Sequence, residues 1–117
     1  MFALPGPIFI EGASGTNHLI QQGAKLVRNA EQGDPESCFQ LGKDLIEGQN
    51  GFPIMLNLGE HFLLQSTKEN HVESLLYYGQ VLNQGDKIPK NEKKAQKCFK
   101  KAASKGSSEA HVRIGQI

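Results

Sequence analysis

The feature that most constrains the fold is a repeat of 36 or 37 residues. Three segments align when they are started at Glu36, Glu73 and Glu109, which are 37 and then 36 residues apart. A period of this length is typical of repeat proteins, in which each repeat is one supersecondary unit that buries its apolar face against its neighbours. The aligned segments share an apolar residue followed by glycine, at Leu41-Gly42, Tyr78-Gly79 and Ile114-Gly115.

A second segment lies between these, and it also repeats. Residues 59–70 align with residues 95–106, and the loops before them share an apolar-proline pair, Phe52-Pro53 and Ile88-Pro89. In both segment types the apolar residues recur at helical spacing, which predicts two helices per repeat, A and then B. The predicted core positions are Ser37, Cys38, Leu41, Gly42 and Leu45, their equivalents Ser74, Leu75, Tyr78, Gly79 and Leu82, and, in a B helix, Ala95, Cys98, Phe99 and Ala102.

Glycines recur in the middle of the A helices, where each costs about 0.5–1 kcal/mol relative to alanine. Gly42, Gly79 and Gly115 share one phase, which predicts that a neighbouring helix packs closely there. Asn91 is a predicted N-cap, and Gly33 and Gly106 are predicted left-handed residues just past helix ends.

These residues resemble the Sel-1-like repeat family, relatives of the tetratricopeptide repeats. The second repeat carries the resemblance best, through Tyr78-Gly79, Gly85, Ile88, Lys94-Ala95 and the run from Lys101 to Ala103 before Gly106. Repeat one is more degenerate. The predicted organisation is an extended apolar arm at 1–15 and a solenoid at 16–117, made of a B helix at 16–32, repeat one at 36–70, repeat two at 73–106 and the A helix of repeat three at 107–117.

The resemblance implies an all-α fold, a right-handed α-α superhelix with about two full repeats and a half-repeat at each end. It also implies a non-enzymatic scaffold or adaptor for protein partners, whose A helices line a concave surface. Because the last A helix has no following B helix, we expect further repeats or another chain to cover it. The polar positions opposite the A-helix core are the candidate concave-face set, although ordinary surface residues would show the same pattern: Gln40, Lys43, Glu47, Tyr77, Gln80, Gln84 and Arg113.

Charge is distributed unevenly along the chain. Residues 1–86 contain four Lys or Arg and ten Asp or Glu, whereas residues 87–117 contain nine and two. The predicted helix near the C-terminus places lysines away from its apolar stripe, and these form what we term the basic face: Lys93, Lys94, Lys97, Lys100, Lys101 and Lys105. Two interpretations stay open: a docking surface for an acidic partner such as nucleic acid, anionic lipid or an acidic protein tail, or a solvated convex face.

No catalytic, metal or cofactor pattern is recognisable in the sequence. The four histidines show no metal-ligand spacing, so no metal, cofactor or catalytic residue is predicted, and an enzyme of the beta-lactam-binding type found among cysteine-rich relatives is the weakest hypothesis.

Cys38 and Cys98 are too few for a disulfide framework and are predicted to be small core residues of a cytoplasmic protein. No apolar run is long enough to span a membrane, and the segment Met1–Ile10 has neither the basic region of a signal peptide nor the length of an anchor.

Overall fold

The computed structural model describes the chain over residues 16–108 and at residue 110, with side chains from residue 23 onward. Within this part the chain is helical and contains no strand, so the predicted all-α class is confirmed. Some predicted features lie outside the described residues: the arm at 1–15 and the segment 111–117, which includes Arg113 and Gly115. The helices are α1 (Thr16–Glu31), α2 (Pro35–Glu47), α3 (Leu56–Lys68), α4 (Val72–Gln84) and α5 (Glu92–Ser104).

The chain divides into two compact units, and the boundary between them falls inside α3. The first unit ends at Gln65 and the second begins at Ser66. The first therefore holds α1, α2 and most of α3, and the second holds α4 and α5.

The core of the first unit forms where α1 packs against α2 and where the loop after α2 turns back. Leu41 and Leu45 of α2 are fully buried, as the apolar stripe of the sequence predicts. Phe52 inserts from the loop, which explains why an apolar residue recurs there. The buried cluster is Ala30, Cys38, Leu41, Leu45, Phe52, Leu58 and Phe62, with Leu26, Val27 and Met55 packed partly buried against it.

Two glycines allow α2 and α3 to approach each other closely. A Cβ added at Gly42 would lie 2.9 Å from the carbonyl oxygen of Gly59, and one added at Gly59 would lie 2.9 Å from the carbonyl oxygen of Gly42. Side-chain atoms of Leu63 and Ile46 lie as close, but because a backbone oxygen obstructs each position, a side chain there would force the helices apart. The prediction that Gly42 permits a close helix contact is confirmed.

The second unit uses its mid-helix glycine differently. A Cβ at Gly79 of α4 would meet the aromatic ring of Phe99 of α5, with Cε1 at 2.6 Å. The close approach is therefore between a helix backbone and a buried ring. Phe99 and Tyr78 are each only 1% exposed. Among the described residues of this unit, the buried hydrophobic ones are Leu75, Tyr78, Val81, Leu82, Ile88, Ala95, Cys98, Phe99, Ala102 and Ala110.

The B helices are α1, α3 and α5, and each of them ends in the same hydrogen-bonded motif. At the end of α1, the Gly33 amide donates to the Ala30 carbonyl and the next amide donates to the Asn29 carbonyl, which is the Schellman arrangement. The same pair of bonds recurs after α3 and α5, around Asn70 and Gly106. Gly33, Asn70 and Gly106 all have positive φ (93°, 58° and 92°). The predicted left-handed conformation of Gly33 and Gly106 is therefore confirmed.

The A helices begin with an N-cap side chain, which lies at the equivalent position of each repeat. The carboxylate of Asp34 accepts from the Ser37 amide, Nδ1 of His71 accepts from the Ser74 amide, and the hydroxyl of Ser107 accepts from the Ala110 amide. Each cap satisfies one of the amides that a helix start leaves without an intrahelical partner. The sequence had not singled out these residues.

The A helices α2 and α4 are each also hydrogen-bonded to the loop that follows them. The Met55 amide donates to the Leu45 carbonyl at 2.8 Å, and the equivalent Asn91 amide donates to the Leu82 carbonyl at 3.0 Å. Asn91 then caps α5, because its side-chain oxygen accepts from the Lys94 amide at 3.0 Å. The predicted N-cap is therefore confirmed, and the two repeats share backbone connections as well as core residues.

Candidate interaction surfaces

The basic face lies on the exposed side of α5. Ala95, Cys98, Phe99 and Ala102 point into the core of the second unit, and all six lysines of the face are exposed, with Lys105 at the C-cap. A helix rises about 1.5 Å per residue, so the face extends about 18 Å from Lys93 to Lys105. The structure thus brings together every lysine that the sequence assigned to this face.

Positive charge on the basic face is not balanced by acidic residues of the same helix. Glu92 is the one carboxylate of α5, and it pairs with Lys90 at 3.3 Å. Lys97 lies one turn from both Lys93 and Lys101, and like-charge pairs at this spacing destabilise a helix by about 0.2–0.5 kcal/mol each. The arrangement therefore lowers the stability of α5 in the free protein.

One lysine of the basic face also contacts the core. The ammonium of Lys94 lies 5.6 Å from the centroid of the Tyr78 ring, within the range of a cation–π interaction. This contact fixes one end of the face relative to α4.

The candidate concave-face set is divided between the two units. Gln40, Lys43 and Glu47 lie on α2 and are half-buried, whereas Tyr77, Gln80 and Gln84 lie on α4, where only Gln84 is exposed. Gln40 is already engaged, because its Nε2 donates to Oδ1 of Asp44 at 2.9 Å.

Asp44 is a buried carboxyl group that the sequence did not reveal. It is 1% exposed, and its Oδ1 accepts from Nδ2 of Asn50 at 3.0 Å as well as from Gln40. Burial raises the pKa of Asp44 above its ordinary value, and the hydrogen bonds from Asn50 and Gln40 partly oppose that shift. Asn50 has φ of 55°, a left-handed conformation that asparagine tolerates. We read Asp44 as a structural group that holds the loop after α2.

Both cysteines are free and buried, as predicted. The Cys38 thiol donates to the Ala30 carbonyl at 3.3 Å and so links α2 to α1. Burial raises the pKa of Cys98, an effect that nearby Lys101 and Lys94 partly oppose. A thiol with a raised pKa is a weaker nucleophile at neutral pH, which suits packing better than catalysis.

In the part of the chain that the structure describes, no helix is long and apolar enough to cross a membrane.

Comparison with known proteins bears on the fold. No protein-family model matches the chain, and no curated protein matches it. Among solved structures, a protective antigen present in uropathogenic Escherichia coli strains, which displays an SLR fold, matches with a TM-score of 0.73 and 22% identity over 79% of this chain and 20% of its own. A Sel1 repeat protein from Oxalobacter formigenes matches with a TM-score of 0.72 and 20% identity over 82% of this chain and 71% of its own.

The match to the Escherichia coli antigen thus spans only about a fifth of that protein. Both likenesses are below a quarter in sequence identity, so what they establish is the fold. Together with the repeated helix pairs and caps, they show that this chain resembles the Sel1-like repeat proteins and has their α-α superhelical fold.

Proposed function

We propose that the chain is a non-enzymatic protein-interaction scaffold, and that it works as a part or subunit of a larger assembly in the cytoplasm. The observation that carries the proposal is the contrast between what repeats and what does not. Core residues, caps and loop hydrogen bonds recur from one repeat to the next, whereas the partly exposed side chains of the candidate concave-face set do not: Gln40 is replaced by Tyr77, and Lys43 by Gln80.

This contrast favours binding over catalysis. A repeat fold keeps its stacking residues and varies its outer residues to fit a partner, because each unit contributes contact area rather than a reacting group. Tyrosine and arginine are enriched among the residues that dominate binding energy, so within the concave-face set Tyr77 and Arg113 are the proposed main contacts.

The test is to cross-link the protein to its native partners, capture the complexes and identify the partners by mass spectrometry. The test variant carries Tyr77→Ala and Arg113→Ala. A control variant carries Lys25→Ala and Arg28→Ala, which alter exposed residues of α1 outside the set. The proposal predicts a defined protein partner that the control retains and the test variant loses. Equal recovery with both variants would remove the concave-face site, and a chromogenic beta-lactam turned over by the pure protein would contradict the non-enzymatic assignment.

A second candidate function is binding of an acidic partner through the basic face. The exposed lysines on α5 favour it. Such binding weakens as salt screens the charges, and Lys97→Glu with Lys101→Glu should reduce it. No binding of duplex DNA or of an acidic polypeptide at low salt would remove this candidate.

A further inference from the structure

We propose that the basic face of α5 is a docking site for an extended acidic segment of a protein, rich in glutamate or aspartate. The inference rests on the proposed function, because it names the chemistry of a partner that the scaffold would hold. It also commits the basic face to one occupant, a polypeptide rather than a nucleic acid.

The lysines form two rows that run along the helix. At 100° per residue, Lys93, Lys97 and Lys100 fall within about 60° of one another, whereas Lys94, Lys101 and Lys105 form a second row about 90° away. An extended chain directs successive side chains to opposite sides, with about 6.6–6.8 Å between residues on the same side. Lysines four residues apart on a helix are separated by about 6 Å along its axis. A strand lying between the rows would therefore bring its acidic side chains alternately to each row.

The extent of the face fits a short segment. From Lys93 to Lys105 it is about 18 Å long, which corresponds to about five or six residues of extended chain. Glu92, the only carboxylate on α5, lies at the start of the helix and pairs with Lys90. No carboxylate of α5 thus lies between the two rows to repel an acidic segment.

The composition of the face disfavours nucleic acid. Phosphate recognition commonly uses the bidentate guanidinium of arginine, and α5 contains none. Proteins that bind single strands also commonly stack the bases on exposed aromatic rings. The aromatic residue of α5, Phe99, is 1% exposed, and Tyr78 is equally buried beneath Lys94. Exposed ammonium groups with no exposed aromatic ring on α5 suit the dispersed carboxylates of a polypeptide.

The experiment measures fluorescence anisotropy of a labelled poly-glutamate of about ten residues, long enough to span the face. Parallel titrations use oligothymidylate and duplex DNA of equal charge, at about 50 and about 200 mM NaCl. The test variant carries Lys93→Glu, Lys97→Glu and Lys101→Glu. The matched control carries Lys25→Glu, Arg28→Glu and Lys68→Glu, which reverse the same number of exposed charges on α1 and α3. Circular dichroism verifies folding, and a Lys→Gln version of the test variant replaces it if it does not fold.

The proposal predicts salt-sensitive binding of poly-glutamate that the test variant loses by about tenfold or more, while the control changes it by about twofold or less. Three results would overturn it: no poly-glutamate binding at low salt, equal losses in test and control variants, or tighter binding of either DNA than of poly-glutamate. If poly-glutamate fails to bind but the native partner is still captured through Tyr77 and Arg113, only this inference fails. If no native partner is captured while poly-glutamate binds as predicted, the scaffold proposal fails instead.

Discussion

Replacing Gly79 with alanine tests the packing of the second unit most sharply. The new Cβ would lie 2.6 Å from Cε1 of Phe99, whereas ordinary van der Waals contacts begin at 3.4 Å. Since Phe99 is 1% exposed, its ring has little room to move. Such overpacking costs about 1–3 kcal/mol, and alanine returns about 1 kcal/mol of helix propensity. The difference is a net loss of up to about 2 kcal/mol.

Gly23 provides the matched control. It also lies inside a helix, α1, but a Cβ there would meet the Phe52 ring at 3.5 Å, an ordinary contact. Gly23→Ala should therefore raise the free energy of unfolding by about 0.5–1 kcal/mol through helix propensity alone. The measurement is urea unfolding followed by circular dichroism, with both variants compared with the parent chain.

A double variant identifies the cause of the loss. Phe99→Leu removes the ring atoms that the new Cβ would meet, so Gly79→Ala should cost less in that background, and the double-mutant cycle should show a favourable coupling. If Gly79→Ala stabilises the protein as much as Gly23→Ala does, the ring of Phe99 does not pack against the backbone of α4, and the reasoning is refuted.

The remaining predictions concern single side chains, each checked by the change in unfolding free energy. Phe99→Ala should cost about 3–5 kcal/mol, as truncation of buried aromatic residues does; a loss below about 1 kcal/mol would contradict its burial. Gly42→Ala should be destabilising, because its Cβ would meet the Gly59 carbonyl oxygen at 2.9 Å; a stabilising effect would mean that α2 and α3 lie further apart. Asn91→Ala should cost about 1 kcal/mol through the lost cap, whereas Asn91→Asp should cost little. Asp44→Asn should stabilise the protein at neutral pH, because burial raises the pKa of Asp44 in the folded state and its ionised form therefore opposes folding. This advantage should shrink as the pH falls through the raised pKa towards the ordinary value of 3.8, and an advantage that grew with acid would refute the assignment.

The repeat made much of the fold predictable, because spacing alone relates equivalent residues. It placed Leu41 and Tyr78 in the core and Gly42 and Gly79 at close contacts, and all four are so placed. The repeat does not predict which atom lies opposite each glycine. That atom belongs to a backbone carbonyl in one repeat and to an aromatic ring in the other, because tertiary packing decides it.

Two of the three N-cap residues of the A helices carry a recognisable signal in the sequence. Asp34 and Ser107 are favoured N-cap residues that precede helical patterns, so extending the alignment two or three residues upstream would have found them. His71 is not a favoured cap residue, and only its position in the repeat indicates its role. Asn70 takes the left-handed position that glycine holds in the other two repeats, as asparagine can.

The surface was less predictable than the core. Lysines on α5 were assigned to the exposed side because they avoid its apolar stripe, and they are exposed. The bond from Gln40 to Asp44 joins residues four apart on α2, whereas the bond from Asn50 to Asp44 depends on a loop conformation that no periodicity encodes. Assignment of the concave-face set rests on the family resemblance and stays a prediction.

The most direct test of the central claim, that one helix pair is built twice around glycine contacts, is a solution NMR measurement of nuclear Overhauser effects. The structure predicts cross-peaks between the α-protons of Gly42 and Gly59, and between an α-proton of Gly79 and the ring protons of Phe99. Observing both sets in one sample would show the repeated architecture directly. Absence of both sets, in a protein whose amides are otherwise dispersed as in a folded chain, would contradict it.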